Sequence, residues 1–113
     1  MATEAKQEWF GHASEHMPRQ PTHPGEHIAV ELEELNMSAT QVAKALGIPA
    51  NRLTEIIRGR RGVTADTALR LAAWLGTTPE FWMNLQRNYE LKTAERERGE
   101  EIRHTVRRHN AAA

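Results

Sequence analysis

The sequence predicts an all-α fold of five helices, and three observations carry that expectation. The apolar residues are mostly Ala, Leu, Ile and Val, recurring at three- and four-residue steps rather than in alternation. Aromatic residues are sparse, and no run of Val and Thr has the period of a strand. Each periodic segment is bracketed by residues that start or stop helices: Ser, Thr or Pro before it, Gly or Asn after it. A chain of 113 residues has room for one such domain around one core.

Taken in order, residues 1–23 carry Gly11, Pro18, Pro21 and scattered His, with Trp9, Phe10 and Met17 as the large apolar groups. That is too little apolar surface to offset the entropy of ordering them, so a flexible N-terminal arm is expected. Pro24-Gly25 opens the first helix, with Ile28, Leu32 and Leu35 inward and an end near Asn36. Ser38 caps a short second helix, Ala39 to Leu46, stopped by Gly47. Pro49 suits the start of a third, over about 50–58, ending at Gly59. Thr64 caps a fourth, Ala65 to Leu75, with Ala68, Leu71, Ala72 and Leu75 inward and Gly76 as its stop. Thr78-Pro79 begins a longer fifth helix through Trp82, Leu85 and Tyr89. Past Leu91 the alternating Glu and Arg residues read as a charged helical extension that frays toward its end. The expected organisation is thus an arm at 1–23, a folded domain at 24–91 and a charged tail at 92–113.

Fifteen basic and fifteen acidic residues leave no net charge, but the charges are segregated. Residues 1–37 hold seven Glu against Lys6 and Arg19, whereas residues 38–64 hold Lys44, Arg52, Arg58, Arg60 and Arg61 against Glu55. A compact basic stretch of this kind suits phosphate binding. The absence of cysteine excludes a disulfide scaffold and any thiolate metal site. No signal peptide or membrane span is visible, which points to the cytoplasm and to no membrane partner.

The second and third predicted helices meet the positional demands of a helix-turn-helix. Ala43 is small where the second helix would cross, and Gly47, four residues on, tolerates the positive φ of a tight turn. Val42, Leu46, Ile48, Leu53 and Ile56 supply the apolar contacts that would seat the pair on a core. With Leu53, Ile56 and Ile57 inward, helical geometry turns Asn51, Arg52, Thr54, Glu55 and Arg58 outward. These are side chains that read base edges in a major groove: Asn on adenine, Arg on guanine, Glu on cytosine, the Thr methyl on thymine. Ala50 leaves room for close backbone approach, and Gln41 stands at the start of the preceding helix, near a groove rim. Arg58, Arg60 and Arg61 follow with no acidic residue between Ile56 and Ala65, which suits phosphate contact.

The motifs His23-Pro24-Gly25-Glu26, the hairpin at 38–57, Gly59-Arg60-Arg61 with Val63-Thr64, Ala68-Leu69-Arg70-Leu71, Thr78-Pro79-Glu80-Phe81-Trp82, Leu85-Gln86 and Tyr89-Glu90-Leu91 together resemble the HigA-type (VapI-like) antitoxins of the Xre/Cro helix-turn-helix family. The resemblance covers about residues 23–91. It implies an antitoxin of a bacterial type II toxin-antitoxin system, one that represses its own operon and neutralises a HigB-like messenger-cleaving toxin. The arm before His23 and the charged tail depart from the shorter family pattern.

One short recognition helix contacts too few bases to select a site in a genome, so a homodimer on two half-sites of double-stranded operator DNA is expected. Phe81, Trp82, Leu85 and Tyr89 offer large groups of the type found at interface centres, although Trp82 and Leu85 would also complete a monomer core.

Two H-x-x-E-H spellings, at residues 12–16 and 23–27, have zinc-peptidase spacing. Pro24-Gly25 breaks the second, the first lies in the expected arm, and a third ligand and a cleft are missing, so no metal, no cofactor and no catalysis are expected. Two other readings stay open at this level: a stand-alone Xre-family transcriptional regulator without a toxin, and a helix-turn-helix protein-interaction module that has lost DNA binding.

Overall fold

The computed structural model describes residues 22–110, and among these residues there are five helices and no strand. They are α1 (Pro24–Leu35), α2 (Ala39–Leu46), α3 (Ala50–Ile57), α4 (Ala65–Leu75) and α5 (Pro79–Thr105). Each boundary has a local cause. The Ser38 hydroxyl accepts from Gln41 N–H at 3.1 Å while Gln41 Oε1 accepts from Ser38 N–H at 2.8 Å, a reciprocal cap at the start of α2. Thr64 and Thr78 cap α4 and α5. Gly47 and Gly76 close α2 and α4 in the left-handed region, and Asn36, at φ 56°, does the same for α1.

Ile28, Val42, Ala43, Leu46, Ile48, Leu53, Ile56, Val63, Ala68, Leu71 and Trp82 form one buried cluster, with Leu32, Ile57, Leu75 and Leu85 packed at its margin. All seven helix-turn-helix positions named from the sequence therefore hold apolar or turn roles in the structure. Leu35 is the exception on α1: it is exposed, because it lies in the last turn, where the helix runs past the core toward Asn36.

Most of the arm expected over residues 1–23 lies outside the described residues, but its last residue is part of the fold. His23 is buried and caps α1, its Nδ1 accepting from Gly25 N–H at 2.9 Å, and its ring meets Tyr89 edge-on at 4.7 Å. Accepting that bond requires a neutral imidazole, and burial lowers the His23 pKa below its ordinary value, against a smaller opposing effect of Glu26. Pro24-Gly25 starts the helix as expected, and His23 is the residue that caps it.

The charged extension is helical, as the alternation of Glu and Arg suggests, and α5 runs unbroken for 27 residues. Its outer turns are held by side-chain pairs, notably Glu95 with Arg103 at 2.8 Å across the intervening Gly99. A Cβ at Gly99 would meet the Glu95 carboxylate at 2.5 Å, so glycine makes the room for a bridge that spans two turns.

Candidate nucleic-acid interface

The turn between α2 and α3 positions α3, the helix expected to read DNA. Arg70 of α4 donates from Nη1 to the carbonyl oxygens of Leu46 at 2.9 Å and Gly47 at 3.3 Å. A cation on these carbonyls favourably meets the negative end of α2 and fixes the turn. Arg70 Nε also donates to Asp66 Oδ2 at 2.9 Å, and the same oxygen takes Arg52 Nη1 of α3 at 3.2 Å. Bonded by Arg70 first and Arg52 second, the Asp66 carboxyl is held below the usual carboxylate range. At its other end α3 is locked from behind, because Gly25 of α1 lies directly against the backbone of Ile56 and Ile57.

The outward face of α3 is less uniform than helical periodicity alone suggests. Asn51 is exposed, and Pro49 provides no side-chain cap, so the first amides of α3 are open beside exposed Ala50. Arg52 is half-buried by its pairing with Asp66. Thr54 Oγ1 donates to the Ala50 carbonyl at 2.9 Å, which leaves the methyl as the group Thr54 can offer outward. Glu55 lies 3.7 Å from Arg60, which places its carboxylate between the helix and the basic loop. Arg58, Arg60 and Arg61 are exposed, as is Gln41, whose Oε1 is used in the α2 cap while its amide N–H groups can still donate.

Sequence reasoning missed the residue that anchors this loop. Gln86 of α5 is buried, accepts from Val63 N–H at 2.8 Å and donates to Glu90 Oε2 at 2.8 Å. A Cβ at Gly62 would come within 2.8 Å of the Gln86 amide, so glycine permits the loop to lie on α5. The available signal was a glutamine at a core-facing register, four residues beyond Trp82 on one helix face. Asp66 and Arg70 were missed too, since the i,i+4 pair gave no hint of its third partner.

Trp82 is not available as an interface residue in the single chain. It is 1% exposed, packs in the core, and donates from Nε1 to Thr77 Oγ1 at 2.9 Å. The expectation that it forms part of a dimer surface is corrected: the period of α5 turns Trp82 inward and Phe81 and Met83 outward. Phe81 is 40% exposed, and Leu85 and Tyr89 are half-buried.

The metal spellings give no site among the described residues, where no cluster of three or more candidate ligands occurs. His23 uses Nδ1 in its helix cap, and His27 stands edge-on to Phe81 at 5.8 Å. The His12 to His16 spelling lies outside the described residues. Within them, no helix is long and apolar enough to cross a membrane.

The helix-turn-helix family profile matches residues 28–82, the span from the core of α1 to Trp82. Virulence-associated protein I of Dichelobacter nodosus is 46% identical over 77 residues, covering 67% of this chain and 71% of that protein. An addiction module antidote protein of the HigA family from Coxiella burnetii superposes with a TM-score of 0.76 at 53% identity, over 80% of this chain and 100% of that one. The chain belongs to the HigA-type branch of the Xre/Cro helix-turn-helix family. This is a family of helix-turn-helix antitoxins and regulators, not of enzymes. A further HigA-type protein, the antitoxin HigA of Pseudomonas aeruginosa, was solved with the higBA promoter. It is 41% identical with a TM-score of 0.74, over 77% of this chain and 96% of its own.

Proposed function

We propose that the chain is an antitoxin that binds operator DNA as a homodimer in the cytoplasm, represses its own operon and neutralises a HigB-like messenger-cleaving toxin. One observation carries the DNA-binding part: α3 presents Asn51, Arg52, Thr54 and Glu55 on an accessible face, braced on both sides, and runs directly into exposed Arg58, Arg60 and Arg61. The first group suits base edges and the second phosphates. The HigA relative solved with the higBA promoter supports this reading. Exposed Phe81, on one face of α5 with half-buried Leu85 and Tyr89, is the surface we assign to the dimer contact. The toxin assignment is supported by the family and is tested by copurification with the product of the adjacent gene.

The test of DNA binding is electrostatic. Replacing Arg60 and Arg61 by Ala should weaken binding to operator and unrelated DNA alike, because phosphate contacts carry no sequence information. Losing about two phosphate contacts should lower the magnitude of the log-affinity against log-salt slope by about two. Titrations at several salt concentrations measure it. An unchanged slope and affinity would turn the loop away from DNA.

A further inference from the structure

The carboxylate of Asp66 stands on the same surface as the bases' expected readers, where an acidic group next to DNA phosphate is unfavourable unless it serves a purpose. Its side chain is 58% exposed and that of Arg52 is 31% exposed, so as an ion pair the two add little to stability. The geometry nevertheless links three elements in series. The carbonyls ending α2 hold Arg70, Arg70 holds Asp66, and Asp66 holds Arg52 on the reading helix. Each link uses a different donor, and Asp66 Oδ2 receives from both arginines. A free arginine side chain samples many rotamers and loses that freedom when it binds a base; one already fixed by a carboxylate has lost it beforehand. With Nη1 occupied, Arg52 keeps further N–H donors in a planar fork, the arrangement that matches O6 and N7 of guanine. Arg70 balances the second half of the carboxylate's effect, because two guanidiniums around one carboxylate leave the cluster net positive toward DNA.

We propose that Asp66 is a positioning residue for recognition: it presets the Arg52 guanidinium so that this side chain discriminates guanine at one base pair of each half-site. The inference rests on the reading of α3 as the recognition helix and adds to it a residue outside that helix.

The experiment compares the full-length parent with Asp66→Ala, Asp66→Asn, Arg52→Ala and the Asp66→Ala/Arg52→Ala double variant. Affinities are measured for the operator and for single-base-pair operator variants at two salt concentrations, with melting temperatures alongside. Asp66→Ala should lose about tenfold in preference at the one base pair where Arg52→Ala also loses it, with unrelated DNA bound as before. The double variant should match Arg52→Ala, and Asp66→Asn, which retains an accepting oxygen, should recover part of the preference. The proposal is overturned by a uniform gain in affinity for all sequences, which would make Asp66 only a repelling charge. It is equally overturned by a uniform loss tracking melting temperature, or by an Arg52→Ala variant that keeps every base preference. If the parent itself does not distinguish operator from unrelated DNA, the recognition-helix reading fails first, and that result is separate from each of these.

Discussion

Trp82→Ala is expected to cost about 3 to 5 kcal/mol of folding stability, the range for truncating a fully buried tryptophan. The side chain sits at 1% exposure where α5 closes over the core, and its indole N–H is bonded to Thr77 just before the α5 cap. The substitution therefore removes a large apolar volume and leaves the Thr77 hydroxyl without its donor. A domain of this size has little more than that to lose, so the variant should be largely unfolded near ambient temperature. Denaturant titration followed by circular dichroism measures the loss. Phe81→Ala is the companion: at 40% exposure it should leave the fold nearly intact while shifting sedimentation toward monomer. A stable Trp82→Ala protein that only loses self-association would return Trp82 to the interface and contradict the core assignment.

Gly25→Ala should be the most damaging single-methyl change in the domain, on the order of 3 kcal/mol, the upper part of the range for overpacking. Alanine is ordinarily the better helix former by about 1 kcal/mol, so propensity alone predicts the opposite sign. Packing decides it. The added Cβ would overlap the Ile56 carbonyl oxygen and lie 2.9 Å from Ile57 Cα, and both are backbone atoms that cannot rotate away. Since the obstructing atoms belong to the last turn of α3, DNA binding should fall with stability. Gly76→Ala is the control, because a Cβ there meets nothing within 4 Å and only the left-handed φ of 80° opposes it. Its cost should be about 1 to 2 kcal/mol. Thermal melts of the two variants check the order, and a Gly25→Ala protein as stable as the parent would show that α1 can shift off α3 freely.

The helices were legible because their signals are local. Ser38, Thr64 and Thr78 cap, and Gly47 and Gly76 stop, whatever the rest of the chain does. The inward residues of α2 and α3 were legible for the same reason, since their period and the turn glycine suffice. The remaining features depend on contacts between residues far apart in the chain. Gln86 reaches back to Val63, Arg70 reaches back to Leu46, and Asp66 joins Arg52 to Arg70. No periodicity marks such partners. Trp82 shows the reverse error: the residue type suggested an interface, whereas the helix register, read against Leu85 and Gln86, places it in the core. Composition groups His23 with the segment before it, although a histidine followed by Pro-Gly is able to cap a helix through Nδ1.

If the outward face of α3 selects the operator, selection of operator variants by the parent, Asn51→Ala and Thr54→Ala will show it. Asn51 is exposed and Thr54 is half-buried, and neither is in the buried cluster that holds α3, so melting temperatures should stay close to that of the parent. Each variant should change the preferred base at one position per half-site, with a loss there of about 1 to 3 kcal/mol for a contact as good as a bidentate pair and with unrelated DNA bound nearly as before. If both variants select the same sequences in the same order as the parent, α3 is not the reading helix.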